Sequence, residues 1–479
     1  MDAKAFTVRA SLPPYLALPI GGAGAALLVL SSLRCLGLSQ GTTGARVFVL
    51  CCLLGLALLS MAILARPEAH WSLLCPALAV VGLAFFLRAL SLDHQTLDYQ
   101  DFLAQWAAFF RERGGFAAIR EPVGNYNVPY LYFLAAISYL PVPDLYCIKL
   151  FSILFDVLLA WGGLRLVRLF AAEDSLVPSA AFLLLLALPT VILNGSYWAQ
   201  CDVIYGALCL HALASALGKR PAASVVLLAA AFSFKLQAIF LIPLWCALWF
   251  TGRVRFKHLF LFPAACALIA LPALLLGKPL KDILGVYVGQ TTEYASRLTL
   301  NAPSWYQLIP YGTEVDHDLF FFLGIAAAFA LVLALLAVLL IFRRAVTDRV
   351  LMTAAVILAV GVPFLLPSMH DRYFFLADVL VLSWACIFPR RAHVAALVQI
   401  GSLGAYYTYL TLTYPFIVRL FGQTWVMGLE ALCMLAALVM ACAALAGQFK
   451  AQAPAPTATL KPEKAIRSLH AKAKRLRRK

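Results

Sequence analysis

Four short stretches of this chain carry side chains able to do chemistry. Asp98-Tyr99-Gln100-Asp101-Phe102 holds two carboxylates one helical turn apart, a spacing that puts both on one face of a helix. Carboxylates at an apolar boundary hold protons more tightly than in water, which suits a general base acting on a hydroxyl. Asn194-Gly195-Ser196-Tyr197-Trp198-Ala199-Gln200-Cys201-Asp202 offers a further carboxylate with an amide and an indole beside it. Lys235, with Gln237 next to it, interrupts the apolar run 222–250, where an isolated ammonium is costly and demands an anionic partner. In Met369-His370-Asp371-Arg372-Tyr373 the guanidinium can grip paired oxygens bidentately, with His370 as a further donor. One or two carboxylates beside a cationic cluster can deprotonate a hydroxyl and hold an oxyanion. Each residue also has a plainer reading: Asp98 and Asp101 cap an interfacial helix, Lys235 snorkels, Asp371 pairs with Arg372, and Asp202 caps the helix that follows. Those readings suit single residues better than the set.

The elements that must position these residues are membrane segments. Hydrophobic residues make up 63% of 479 and charged ones 13%, and the mean hydropathy is +0.89, which leaves too little polar surface for a water-soluble globule. Apolar runs long enough to cross a hydrocarbon core as helix recur along the chain, and no alternating pattern suggests a barrel. The expected fold is an all-α polytopic transmembrane bundle of about 12–14 membrane segments. The first run, 15–38, has no small-residue cleavage site and reads as a signal anchor. The membrane domain is expected over 1–447 and a basic, disordered cytoplasmic tail over 448–479.

Orientation follows from the short loops. Arg165 with Arg168, Lys219 with Arg220, Arg253 with Arg255 and Lys257, Arg343 with Arg344 and Arg349, and Arg390 with Arg391 are the basic clusters, expected in the cytoplasm together with both termini. The run 222–250 separates two of them, so it is expected to be two short helices meeting at Lys235 rather than one crossing. The first outer loop, 93–128, and the long outer loop, 277–317, then share one face with Asp98, Asp101, Tyr126, Trp198, Gln200, Asp202, Lys235, Gln237, Asn301, His370 and Arg372. Lys149 and Asp156, two turns apart on one span, are expected to pair within the bundle.

The loop around Asp98 continues through Trp106 and Gly124-Asn125-Tyr126-Asn127-Val128-Pro129-Tyr130 and resembles the first luminal or periplasmic loop of the GT-C glycosyltransferases, with its interfacial helices. Trp198-Ala199-Gln200-Cys201-Asp202 resembles the WGQxD motif of a bacterial mannosyltransferase-like branch of that superfamily, with Ala199 in place of glycine. Phe234-Lys235-Leu236-Gln237-Ala238 resembles its FKPQA segment, with Leu236 in place of proline, and Met369–Tyr373 its MHERY motif. The resemblance covers roughly 92–375. It implies inverting transfer of one sugar from a polyprenyl-phosphate carrier to an acceptor outside the cytoplasm, an envelope glycan or glycolipid. On that basis Asp98 is the expected base, with Asp101 as partner or substitute. Lys235, Gln237, His370 and Arg372 are expected to bind the lipid phosphate, and Gln200, Asp202, Trp198, Tyr126 and Asn301 to orient sugar or acceptor.

No nucleotide-binding motif is present and no spacing demands a metal; a divalent cation on Asp98, Asp101, Asp202 or Glu293 is the alternative to a cofactor-free site. Half of the formal charge of +16 lies in the tail from Lys461 to Lys479, which suits anionic lipid headgroups and not nucleic acid. Two other functions compete with the transferase: a transporter or flippase of lipid-linked saccharides, because broken helices with a buried cation also occur in carriers, and a polymerase acting on lipid-linked oligosaccharides.

Overall fold

A chain this apolar must satisfy its backbone amides within each segment. The computed structural model describes residues 13–65, 71–310, 312–410 and 424–452, and most of them are helical, with almost no strand. Eight helices among them are long and apolar enough to cross a membrane: Pro14–Leu36, Thr43–Leu64, Leu73–Ser91, Asp144–Arg168, Phe256–Leu275, His317–Ile341, Asp348–Leu365 and Thr424–Ala451. A ninth candidate is the pair Val177–Leu186 and Pro189–Tyr197, bent by 43° where Pro189 breaks it. The apolar runs behind the expected count of about 12–14 are therefore partly short or broken helices, among them Val128–Ile137 and Asp202–Leu217. The run 222–250 breaks at Lys235, which lies extended between the helix Pro221–Phe234 and the 3-10 turn Leu236–Leu241.

Burial sorts the helices into a centre and a rim. Asp202–Leu217, Asp348–Leu365 and Phe375–Ile387 are buried almost throughout, whereas the rim turns Leu58, Leu268, Leu275, Phe322, Phe329 and Ile341 outward. An apolar rim around a packed centre is compatible with a multi-pass membrane protein. Where Pro14–Leu36 crosses Trp71–Ser91, a Cβ on Gly82 would come within 2.4 Å of the Gly24 carbonyl oxygen, so only glycine allows the two backbones this close.

Charges inside the bundle pair across segments. Arg88 Nε lies 2.9 Å from Asp156 Oδ2 with both side chains fully buried, and Arg88 Nη2 donates to the Leu186 carbonyl at 2.9 Å. Lys149 donates to the carbonyls of Ser91 and His94, both at 2.6 Å, closing the end of the helix Trp71–Ser91. The expected Lys149–Asp156 pair is therefore not formed: Arg88 from another helix pairs with Asp156 through Nε alone and spends its two terminal nitrogens on the Ala84 and Leu186 carbonyls, and the Lys149 ammonium satisfies orphan carbonyls instead.

The stretch 93–128 holds a π-helical turn, Tyr99–Leu103, then the helix Ala104–Glu112 and the 3-10 turn Gly115–Arg120. The stretch 277–317 holds the helix Leu280–Thr292 and a two-residue strand, Thr299–Leu300, paired in parallel with Met369–His370. The last helix runs on to Gln452, past the expected start of the tail; 453–479 lie outside the described residues.

Candidate functional site

All four motifs meet at one end of the bundle, around a cavity of about 280 Å³. Asp98 enters at the start of the π-helical turn. Its Oδ2 accepts hydrogen bonds from Trp198 Nε1 at 2.9 Å and Gln200 Nε2 at 2.8 Å, and its Oδ1 accepts one from Tyr409 Oη at 2.6 Å. A carboxylate oxygen has two lone-pair sites, so Oδ1 keeps one for a ligand. Tyr126 Oη donates to Gln200 Oε1 at 3.2 Å, which leaves the Gln200 amide nitrogen to face Asp98.

The hairpin tip carrying Trp198 and Gln200 is pinned from two sides. Thr96 Oγ1 donates to the Trp198 carbonyl at 3.1 Å, and Ser152 Oγ to the Gln200 carbonyl at 2.8 Å. Ala199 sits at φ 65°, a left-handed conformation that is strained for any residue with a Cβ. A glycine at this position would carry no such strain. Ala199→Gly is expected to raise stability by about 1 kcal/mol, read as a higher midpoint of thermal unfolding in detergent; an unchanged or lower midpoint contradicts the strain.

The cations are already engaged. Lys235 forms an ion pair with Asp202, whose other oxygen accepts from Asn194 Nδ2 at 2.9 Å. Arg372 reaches Asp98 at 3.6 Å, Asp202 at 3.8 Å and Asp371 at 3.9 Å, with its guanidinium 5.4 Å from the Trp198 ring centroid. Its Nε is buried and has no hydrogen-bond partner among the described residues. Burial opposes the Arg372 charge, but the three carboxylates outweigh it. Burial pushes the Asp371 carboxyl up to about 7, with Asp98 and Asp202 adding to it and Arg372 opposing. Burial, with Arg372 and Lys235 nearby, holds His370 far below the usual imidazole range, so the ring is neutral and can donate one hydrogen bond.

The second wall comes from 277–317. Asn125 Nδ2 lies 3.0 Å and 3.2 Å from the two Glu293 carboxylate oxygens, and Gln290 Nε2 donates to the Asn125 carbonyl at 2.6 Å. Asn301, at φ 57°, bridges to His370, and the Tyr294 ring stands edge-on to His370 at 4.6 Å.

Asp98, Tyr126, Gln200, Lys235, Gln237, Asn301, His370 and Arg372 line the cavity together, and the Gln237 side-chain Oε1 is buried with no partner among the described residues. Trp198 and Asp202 are fully buried behind the wall, so they hold Asp98, Lys235 and Arg372 in place and do not face a ligand. Asp101 points to solvent away from the cavity. The wider winding of the π-turn rotates it farther from Asp98 than an α-turn would. Among the described residues, no three His, Cys, Asp or Glu side chains form a metal-holding group; the four carboxylates considered for a cation do not converge.

Sequence reasoning missed Tyr409, Tyr294 and the Asn125–Glu293 contact. Tyr409 comes from the helix Ala392–Leu410, beyond the motif-bearing region, and stacks on Trp198 with centroids 4.6 Å apart. A hydrogen bond to a charged group contributes roughly 1.5–3 kcal/mol. Tyr409→Phe is therefore expected to slow turnover about tenfold at unchanged protein yield, measured as an initial rate; a rate within twofold of wild type contradicts a positioning role.

No family model matches the chain, and no curated protein matches it either.

Proposed function

We propose that the chain is an integral membrane glycosyltransferase of the inverting GT-C type. It transfers one hexose from a polyprenyl-phosphate carrier to an envelope glycan or lipid-linked acceptor on the extracytoplasmic side. The observation that carries this reading is that Asp98, whose Oδ1 accepts a hydrogen bond from Tyr409, lines one cavity with Lys235, Arg372 and His370.

The chemistry is a single displacement. The acceptor hydroxyl oxygen attacks the anomeric carbon as its proton passes to Asp98, and the bond from that carbon to the phosphate oxygen breaks. The electron pair leaves with the polyprenyl phosphate, so the developing charge needs donors already in place. Arg372 supplies a two-pronged donor, Lys235 a point charge and neutral His370 one N–H. Gln237 and Asn301 present amides to sugar hydroxyls, and Gln200 and Trp198 fix the base. Attack opposite the leaving phosphate inverts the anomeric centre.

The direct test supplies purified protein in lipid nanodiscs with a set of polyprenyl-phosphoryl hexoses and a mixed envelope-glycolipid acceptor pool. Consumption of one donor with release of polyprenyl phosphate, absent in Asp98→Asn, is the expected result. Failure of every donor to turn over, with the same protein moving an intact lipid-linked saccharide across the bilayer, would replace the transferase with a carrier.

A further inference from the structure

We infer that a phosphate ligand entering this cavity brings a proton with it, and that Asp371 is the group that takes it up. The inference rests on the reading of the cavity as a site for a phosphate-linked donor.

Four carboxylates, Asp98, Asp202, Asp371 and Glu293, stand at or just behind the cavity wall against two cations, Lys235 and Arg372. Both cations are already engaged by carboxylates. A phosphate anion added to this set deepens an existing excess of negative charge where little water can screen it. Its grip on Arg372 must also draw the guanidinium away from carboxylates it now serves. Arg372 Nε, buried and without a hydrogen-bond partner among the described residues, lies 3.8 Å from Asp202, so the guanidinium is not locked to one carboxylate.

Protonating one carboxylate relieves both problems, and the hydrogen bonds single out which one. Asp98 keeps donors from Trp198, Gln200 and Tyr409. Asp202 keeps Lys235 and Asn194. Glu293 is exposed and faces Asn125. Asp371 has the Arg372 backbone N–H at 2.9 Å and a distant share of its guanidinium, at 3% exposure. It therefore loses most when Arg372 turns.

Several titratable and charged groups surround Asp371. Asp98 from the 93–103 segment and Asp202 from the hairpin tip act on it directly, and Cys201 from that tip, Lys235 from the broken helix, and Glu293 and Tyr294 from the long loop line the same cavity. His370, Arg372 and Tyr373 belong to its own turn, and Tyr406 and Tyr409 come from the helix Ala392–Leu410. His370 is held neutral, while burial has already raised the Asp371 carboxyl to about 7. A ligand that raises it further binds fully below that pH and weakens as pH rises through it.

Titration calorimetry of the full chain in nanodiscs tests this with farnesyl methyl phosphate, a phosphodiester that keeps a single charge over the range used. Heats measured at about pH 7.5 in two buffers of different ionisation enthalpy report the protons taken up. The expected uptake is about 0.8 proton, with affinity about tenfold weaker at pH 8 than at pH 6. Asp371→Asn is expected to abolish the uptake and flatten the pH dependence, whereas Asp101→Asn, away from the cavity, keeps both. Binding with uptake near zero in wild type, or uptake that survives Asp371→Asn, overturns the inference and leaves the phosphate site standing. No binding at any pH overturns the phosphate site as well.

Discussion

Asp98→Asn is expected to lower sugar transfer by about 10²–10⁴-fold, the range for losing a positioned general base, with the protein inserted and folded as in wild type. The amide is isosteric, and its oxygen can occupy the place of Oδ2, still accepting from Trp198 and Gln200. Its nitrogen then faces Tyr409, whose hydroxyl can turn to accept. The scaffold survives, and the lone pair that would take the acceptor proton is gone. Asp101→Asn is the matched control, because Asp101 points away from the cavity, and it should stay within about twofold of wild type, as surface substitutions do. Initial rates with purified protein decide the matter. An Asp98→Asn rate within tenfold of wild type would remove Asp98 as the base, and an equal loss in Asp101→Asn would move that role to Asp101.

The second large effect falls on stability. Arg88→Leu should destabilise the fold by about 3–5 kcal/mol, because it leaves Asp156 as an uncompensated buried charge. The same change withdraws the donor to the Leu186 carbonyl, beside the break at Pro189. Gly195 of the hairpin tip packs close to Asp156, where an added Cβ would lie 3.7 Å from Oδ1. Arg88→Leu with Asp156→Leu should recover most of the loss, since a buried ion pair is replaceable by apolar packing. Thermal midpoints in detergent, followed by size-exclusion chromatography, test both variants. A double variant as unstable as the single one would contradict the argument from buried charge.

What the sequence disclosed depended on how far apart the interacting residues lie. Lys235 was legible because an ammonium inside an apolar run has few physical solutions, and the helix does break there. Asp98, Gln200 and Arg372 were legible as motif members, although nothing local says that Trp198 and Asp202 stand behind the wall while Gln200 lines it. Tyr409 gave no signal: one tyrosine near the end of an apolar helix resembles any interfacial aromatic, and its role appears only once its helix packs beside the hairpin tip. Asp101 shows the opposite failure. A spacing of three predicts a shared face only for α-helical winding, and the π-turn at Tyr99–Leu103 removes that premise. Lys149 and Asp156 had a plausible spacing on one helix, but each found a better partner on another segment.

The central claim is single-sugar transfer at the Asp98 cavity. It is tested most directly by mass spectrometry of polyprenyl-linked and envelope glycans from cells carrying wild type or Asp98→Asn at matched protein levels. The account predicts that one hexose-sized unit disappears from a glycan in the variant while a polyprenyl-phosphate hexose accumulates. Accumulation of complete lipid-linked oligosaccharides, with no glycan short of a single hexose, would contradict it and identify a protein that moves or polymerises those oligosaccharides.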